Sequence, residues 1–197
     1  MSVQIHPIIL FFASVFTSNI LLSNFLGMCS FISVSKDFKS SHGLGLAVIV
    51  VLTFTCMINW GVYHLILKPW GLHYLRYIVF IVVIAATVQI LEMIIDRVSP
   101  ALYMTLGIFL PLITVNCAIL GVSLLMQIRN YSFIQSIFYG CGSGIGWWIA
   151  ILCLAAIRKK TEKAPVPAGL KGPGLTFITI GIMAMAFLGF SGILPVQ

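Results

Sequence analysis

The chain contains 197 residues, of which 60% are hydrophobic and 8% are charged, and its mean hydropathy is +1.13. A soluble domain of this length cannot bury so much apolar surface, so the composition excludes a soluble enzyme and indicates an integral membrane protein. The formal net charge of +7 does not indicate nucleic-acid binding, because the basic residues lie in short segments between apolar runs and not on one face among aromatic residues.

Six apolar runs follow one another along the sequence. Each has at least the roughly 17 residues that a helix needs to cross ~30 Å of hydrocarbon, and together they account for nearly the whole chain. We therefore predict an all-α integral membrane fold with six transmembrane helices in a single domain, residues 1–197. The predicted spans are about 8–34, 43–67, 74–95, 102–126, 134–157 and 173–194.

The distribution of basic residues predicts the orientation of these spans. Cytoplasmic loops carry an excess of Lys and Arg, and eight of the 11 such residues lie in the first, third and fifth connections. We therefore expect loops 1, 3 and 5 in the cytoplasm and both termini on the periplasmic side of a bacterial inner membrane. The eight residues are Lys36, Lys39, Arg97, Arg158, Lys159, Lys160, Lys163 and Lys171, against Lys68, Arg76 and Arg129 in the other two connections.

The third loop divides the chain into two halves of three helices, about residues 1–97 and 98–197. The halves resemble one another weakly but in the same order: Gly43-Leu-Gly-Leu opens the second span, and Gly140-Cys-Gly-Ser-Gly-Ile-Gly opens the fifth. An odd number of helices per half makes the repeat inverted. Inverted repeats are typical of transporters, whose binding sites lie near the midplane where paired helices break.

The clearest correspondence between the halves is a pair of cysteines. Gly27-Met28-Cys29 in the first span is echoed by Val115-Asn116-Cys117 in the fourth. Unbroken helices would hold the two thiols on the order of 20 Å apart. Both segments carry helix-weakening residues just before the cysteine, so we predict that the first and fourth helices are interrupted and meet inside the protein. These residues are Asn24 and Gly27 in the first span and Pro111, Thr114 and Asn116 in the fourth.

The two cysteines have more than one interpretation. A membrane cysteine is most often a small buried hydrophobic residue, and we assign Cys56, Cys141 and Cys153 to that class. Cys29 and Cys117 could form a disulfide, although a chain held by packing has little need of one. If they are metal ligands instead, two thiolates are half of a tetrahedral set, and a partner subunit must supply the other two.

Glu92 is the deepest carboxylate in the sequence, near the cytoplasmic end of the third span, with Asp96 one turn further on. Ionisable groups inside a membrane are costly and mark functional sites by default. One interpretation is a role in cation entry, since oxygen ligands suit a hard cation. The other is an ordinary helix-end residue that pairs with Arg97 or with solvent.

The glycines and large aromatic residues of the fifth span also lead to predictions. Small residues let helices approach closely in a membrane, so we expect the four glycines to serve packing and not nucleotide binding. We expect the aromatic side chains to lie at the membrane interfaces, as such residues commonly do. The glycines are Gly140, Gly142, Gly144 and Gly146, and the aromatic residues are Trp147, Trp148 and Tyr139, together with Trp70 of the second span.

Several motifs closely resemble the NqrDE/RnfAE family of membrane subunits, and the resemblance runs over essentially the whole chain. Gly-Met-Cys-Ser and Val-Asn-Cys favour the Nqr members, which belong to the Na+-translocating NADH:quinone reductase, over the A-type subunit of the related Rnf ferredoxin:NAD oxidoreductase. The motifs are Phe-Leu-Gly-Met-Cys-Ser-Phe (25–31), Val-Ser-Lys (34–36), Val-Gln-Ile-Leu-Glu-Met-Ile (88–94), Leu-Pro-Leu-Ile-Thr-Val-Asn-Cys-Ala-Ile (110–119) and Val-Pro-Ala-Gly-Leu-Lys-Gly (166–172).

The resemblance implies a role for both cysteines. Cys29 and Cys117 would supply two of four thiolates to an iron centre, a 2Fe-2S cluster, shared with the homologous D-type polypeptide of a six-subunit complex. Electrons from NADH would cross the membrane through this centre to quinone while Na+ moves outward. NADH, flavins and quinone would be bound by other subunits, so the chain has no catalytic site of its own. Glu92 would lie on the path of Na+ uptake.

Two other functions remain open from the residues alone. A secondary transporter could use the same inverted repeat without electron transfer, and it would function without iron and without Cys29. A scaffold subunit that only seals a larger complex would tolerate the loss of Cys29 or Cys117. We find no paired-carboxylate or Ser/His/Asp arrangement that would support independent catalysis.

Overall fold

The computed structural model of the chain describes residues 6–98, 113–165, 167 and 172–189. All regular elements in these ranges are helical and none is a strand, which confirms the all-α prediction. The helices are α1 (Pro7–Val15), α2 (Ile20–Asn24), α3 (Met28–Val34), α4 (Phe38–Val62), α5 (Lys68–Trp70), α6 (Arg76–Val98), α7 (Cys117–Ile128), α8 (Phe133–Thr161) and α9 (Pro173–Leu188).

The first apolar run is divided into three short helices. After α1 and a turn, Asn19 caps α2 by accepting a hydrogen bond from the amide of Leu21 at 3.1 Å. Phe25 and Gly27 then have positive φ angles of 54° and 86°, which end α2 and set the direction of α3. Left-handed backbone is incompatible with a continuing helix, so the predicted interruption of the first span is confirmed.

The second run forms one long helix. Asp37 caps α4 by accepting hydrogen bonds from the amide and the hydroxyl of Ser40, and these bonds lower the pKa of the Asp37 carboxyl. A π-helical turn, Tyr63–Leu67, joins α4 to α5 without a break.

Three helical stretches are long and apolar enough to cross a membrane, within the residues that the structure describes: Phe38–Trp70, His73–Ile94 and Phe133–Thr161.

The remaining predicted spans are shorter in the described residues. In the fourth run, a turn at Val115 and Asn116 separates helical backbone at Ile113 and Thr114 from α7. Residues 99–112, which include Pro111, lie outside the described residues, as do residues 190–197 of the sixth run. The count of six spans, the inverted repeat and the orientation of the termini therefore stay predictions.

Helix α8 lies at the centre of the bundle and packs along most of α4 and against α1. A Cβ atom on Gly144 would stand 2.8 Å from the Cα of Ile49 in α4, and one on Gly142 would stand 2.8 Å from the carbonyl oxygen of Phe11 in α1. The glycines of α8 thus provide close helix contacts, as the sequence predicted.

The aromatic residues of α8 correct one expectation. Trp147 is 0% exposed and Tyr139 is 2% exposed, so both belong to the core and not to a membrane interface. Trp148 is half-buried against His42 and Gly45 of α4, whereas Trp70 is exposed as expected. The error has a physical cause: the small residues of α1, α4 and α8 leave room between the helices, and the indole rings fill it.

Candidate metal centre

The beginnings of α3 and α7 meet and bring the two cysteine segments together. Cys29 is the second residue of α3, and Cys117 is the first residue of α7. The backbone amide of Gly27 donates a hydrogen bond to the Sγ atom of Cys117 over 2.9 Å. The predicted approach of the two segments is therefore confirmed, and we call the arrangement the helix junction, defined by residues 25–30 and 115–118.

Side chains of the junction connect the two helices a second time. Asn116 caps α7, since its Oδ1 accepts a hydrogen bond from the amide of Ala118. Its Nδ2 donates to the hydroxyl of Ser30 at 3.2 Å, and that hydroxyl donates to the carbonyl oxygen of Gly27 at 3.1 Å. Because Asn116 and Ser30 are both buried, the chain of hydrogen bonds fixes the position of Cys117 relative to Cys29.

Gly27 is the tightest point of the junction. Its φ angle of 86° favours glycine, and a Cβ atom there would lie 2.8 Å from Nε1 of Trp147 and 3.0 Å from the Cβ of Ala118. Trp147 of α8 therefore packs directly against Gly27 and covers the inner side of the junction. Its Nε1 has no hydrogen-bond partner among the described residues.

Both thiols are accessible from outside this chain. Cys29 and Cys117 are exposed, and all five cysteines are free, so the disulfide alternative is wrong. Two side chains beside them are also exposed: Phe25 by 52% and Val115 by 72%. In a membrane protein, broken helices at such a position need a covering protein surface, because lipid cannot satisfy their backbone amides.

The donor set fits half of an iron-sulfur site. No group of three or more His, Cys, Asp or Glu side chains occurs within residues 6–98, 113–165, 167 and 172–189, whereas a 2Fe-2S cluster needs four ligands. The two accessible thiols would supply two of them. Cys117 is also the first residue of α7, and the positive dipole end of a helix favours the negative charge of a thiolate.

The structure does not connect Glu92 with the junction. Glu92 lies on α6 and is half-buried, and its carboxylate makes no hydrogen bond or ion pair with the described part of the chain. Its predicted pairing with Arg97 is therefore absent there.

The sequence analysis missed two residues of the site, Ser30 and Trp147. Ser30 adjoins Cys29 in the sequence, but nothing in the sequence places Trp147 next to Gly27.

Comparison with known proteins defines the class of this fold and site. Residues 8–194 match the model of the family described as "Rnf-Nqr subunit, membrane protein", and the chain belongs to this family.

Individual relatives are similar over nearly their whole length. The chain is 55% identical, over 95% of its own length and 98% of the relative's, to the E subunit of the Na(+)-translocating NADH-quinone reductase of Pasteurella multocida. It is 54% identical to the protein of the same name from Pseudoalteromonas translucida, again over 95% of this chain and 98% of the relative. The predicted resemblance is thereby confirmed, on the Nqr side of the family.

Proposed function

We propose that this chain is the E subunit of a Na+-translocating NADH:quinone reductase in a bacterial inner membrane, and that Cys29 and Cys117 hold half of a 2Fe-2S cluster. A homologous D subunit supplies the other two thiolates within a six-subunit complex. The observation that supports the proposal is the helix junction, where the amide of Gly27, two residues before Cys29, donates to Sγ of Cys117 and both thiols are exposed.

The residues of the junction have distinct roles in this proposal. Cys29 and Cys117 bind the cluster, which supplies a one-electron carrier between the redox groups of the other subunits. The amide of Gly27 stabilises negative charge on the sulfur of Cys117 through their hydrogen bond. Asn116 and Ser30 hold the two helix beginnings in register, and Trp147 excludes water from below. Hydrogen bonds to sulfur and the exclusion of water both affect the potential of such a centre.

The inverted repeat, which is itself a prediction, would give the same site a transport role. In each proposed half, the cysteine follows a break in the first apolar run, and the helix beyond it starts within two residues of that cysteine. Inverted-repeat transporters bind their substrates where such broken helices face each other. The proposed topology, with loops 1, 3 and 5 in the cytoplasm, puts the junction between the two membrane surfaces.

Replacement of Cys117 by serine in the complete complex tests the redox proposal. We expect Cys117→Ser to lose the electron paramagnetic resonance signal and the iron of this centre, and quinone reduction to fall to background, because a serine hydroxyl is a poor ligand for iron. Cys153→Ser is the matched control, since Cys153 is also exposed and free but lies on α8 away from the junction. An assembled Cys117→Ser complex with its full iron content and activity would exclude the redox role of Cys117. A scaffold function or a secondary-transporter function would then be the remaining explanations.

For Glu92 we propose a role in the uptake of Na+ from the cytoplasm. The support is its half-buried position on α6 without an ion pair in the described residues, since an unpaired carboxylate in a membrane is costly. We expect Glu92→Gln to raise the Na+ concentration for half-maximal quinone reduction by roughly tenfold, which corresponds to about 1.4 kcal/mol of lost binding. Asp96→Asn, at the exposed end of the same helix, is the control. An unchanged Na+ dependence would remove Glu92 from the pathway.

A further inference from the structure

Polar side chains are buried between α4 and α7, away from the cysteines. Thr55 and Asn59 lie one turn apart on α4, and Ser123 and Gln127 lie one turn apart on α7. None of the four is more than 5% exposed. The Nδ2 atom of Asn59 donates a hydrogen bond to Oγ of Ser123 over 3.0 Å, which joins the two pairs. We call these four residues the polar cluster.

Much of the hydrogen-bonding capacity of this cluster is unused. Oγ1 of Thr55, Oδ1 of Asn59 and Nε2 of Gln127 are buried without a hydrogen-bond partner among the described residues. A buried polar atom without a partner costs free energy, so native proteins satisfy nearly all of them with protein, water or an ion. Two of these atoms, Oγ1 of Thr55 and Oδ1 of Asn59, are acceptors one turn apart on α4, and they indicate a group bound between α4 and α7. Nε2 of Gln127 is a donor and is not one of the ligands of that group.

The hydroxyl of Thr55 differs from those of most threonines that the structure describes. A threonine within a helix commonly donates to the carbonyl oxygen one turn earlier. Six others do so, including Thr53 on the same helix, whose Oγ1 lies 2.8 Å from the carbonyl oxygen of Ile49. Thr55 does not make this bond within the described residues, so its oxygen is free to bind a ligand. The other five are Thr17, Thr87, Thr161, Thr176 and Thr179.

The chemistry of the cluster favours a small monovalent cation. The free acceptors are neutral hydroxyl and amide oxygens, which bind hard cations. Divalent cations are usually held by carboxylates as well, and none of the four acidic residues of the chain belongs to the cluster. Helix α8 packs closely on α4 near this level, since a Cβ atom on Gly140 would stand 3.0 Å from Sγ of Cys56.

Two residues of the polar cluster, Ser123 and Gln127, lie on α7, the helix that begins with Cys117. Ser123 follows Cys117 by six residues on α7, which is about 9 Å along the helix axis. Beyond the cluster, Nε1 of Trp60 donates to the carbonyl oxygen of Tyr131, and Nη1 of Arg129 donates to its hydroxyl. The polar cluster is thus enclosed between the helix junction and the turn that joins α7 to α8.

We propose that Oγ1 of Thr55, Oδ1 of Asn59 and Oγ of Ser123 bind a dehydrated cation the size of Na+ between α4 and α7. This inference rests on the proposed function, because the cation would be the one that the complex transports. Binding so close to Cys117 places the cation where a change of charge at the junction alters its affinity. A single buried water is the competing occupant.

The test uses the purified complete complex with Thr55→Val and Asn59→Leu. Thr55→Val removes an oxygen that makes no hydrogen bond in the described residues and keeps the side-chain shape, so it preserves folding. Thr53→Val is the matched control on the same helix, because the Thr53 hydroxyl is already bonded to its own backbone. The measurements are the stoichiometry of radiolabelled Na+ bound without turnover, the Na+ dependence of quinone reduction, and the iron content.

We expect both variants of the cluster to lose one bound Na+ per complex. The Na+ concentration for half-maximal activity should rise by roughly 10-fold to 100-fold, as expected for the loss of a ligand to a charged group. Iron content should be unchanged, and Thr53→Val should resemble the wild type. If Thr55→Val binds Na+ as the wild type does, with the same Na+ dependence, the cluster holds water only and this inference is wrong. A wild-type complex that binds no Na+ would overturn the Na+ transport proposal as well, independently of the iron measured in Cys117→Ser.

Discussion

Glycine has opposite structural roles in the helix junction and in the contact between α4 and α8. In the junction, Gly27 takes a φ angle of 86° and separates two helices. In α8, four glycines lie within a single helix of 29 residues and have ordinary helical backbone. There the absent side chains let neighbouring helices come close, as at Gly144 against Ile49.

The neighbours of each glycine explain the difference. Around Gly27, its amide donates to Sγ of Cys117 and its carbonyl oxygen accepts from the hydroxyl of Ser30, while Asn116 accepts from the amide of Ala118 at the beginning of α7. The glycines of α8 lie within one continuous helix, so their backbone groups keep the hydrogen bonds of that helix. A glycine thus breaks a membrane helix where polar partners replace the lost bonds, and elsewhere it serves as a contact surface.

The largest effect in this comparison is expected for Gly27→Ala. A residue with a Cβ atom pays about 1–2 kcal/mol for left-handed backbone, and the Cβ would also press on Trp147 and Ala118, which costs about 1–3 kcal/mol more. We expect a lower thermal midpoint of the complex and loss of the iron centre. The measurements are thermal unfolding and iron content.

Gly71→Ala is the matched control for Gly27→Ala. Gly71 has a similar φ angle of 67°, but a Cβ atom there would have no neighbour within 4 Å. We expect Gly71→Ala to lower the free energy of unfolding by about 1–2 kcal/mol, the cost of left-handed backbone at a residue with a Cβ atom, and to leave the iron content unchanged. Equal effects of the two substitutions would show that the contacts of Gly27 with α7 and α8 are unimportant.

A smaller effect is expected for Gly142→Ala in α8. The added methyl group would lie against Ser14 and 2.8 Å from the carbonyl oxygen of Phe11, and α1 would have to move away. We expect a loss of about 1–3 kcal/mol in stability with the iron centre retained, as measured by thermal unfolding and iron content. Gly181→Ala on α9 meets no atom within 4 Å and should be neutral or stabilising. If Gly142→Ala also left the thermal stability unchanged, the close contact between α1 and α8 would not contribute to stability.

The sequence was sufficient to find the cysteine pair. Cys29 and Cys117 attract attention because they recur beside helix-weakening residues, and the structure joins their segments by the Gly27 amide. The sequence could not show that Asn116 both caps α7 and reaches Ser30. The bond to Ser30 links residues 86 positions apart, and local propensity carries no information about such distant pairs.

The buried polar and aromatic residues were less predictable. Trp147 was expected at an interface because tryptophan is common there, yet it fills the space below Gly27. Thr55 and Thr53 are equivalent in a sequence pattern. Only the structure shows that the Thr53 hydroxyl bonds its own backbone, whereas the Thr55 hydroxyl has no partner in the part of the chain that the structure describes. The direction of a side chain on a buried helix depends on the neighbouring helices.

The sequence by itself determined that this is an all-α membrane protein, that its first helix is interrupted and that two cysteines recur beside helix-weakening residues. These features follow from hydrophobic length and from the local effects of asparagine and glycine on a helix. Only the tertiary structure decided which glycine breaks a helix and which one packs, and which polar atoms face one another between α4 and α7. Those outcomes depend on contacts between distant segments, since hydrogen bonds and close packing are satisfied only when the helices are assembled.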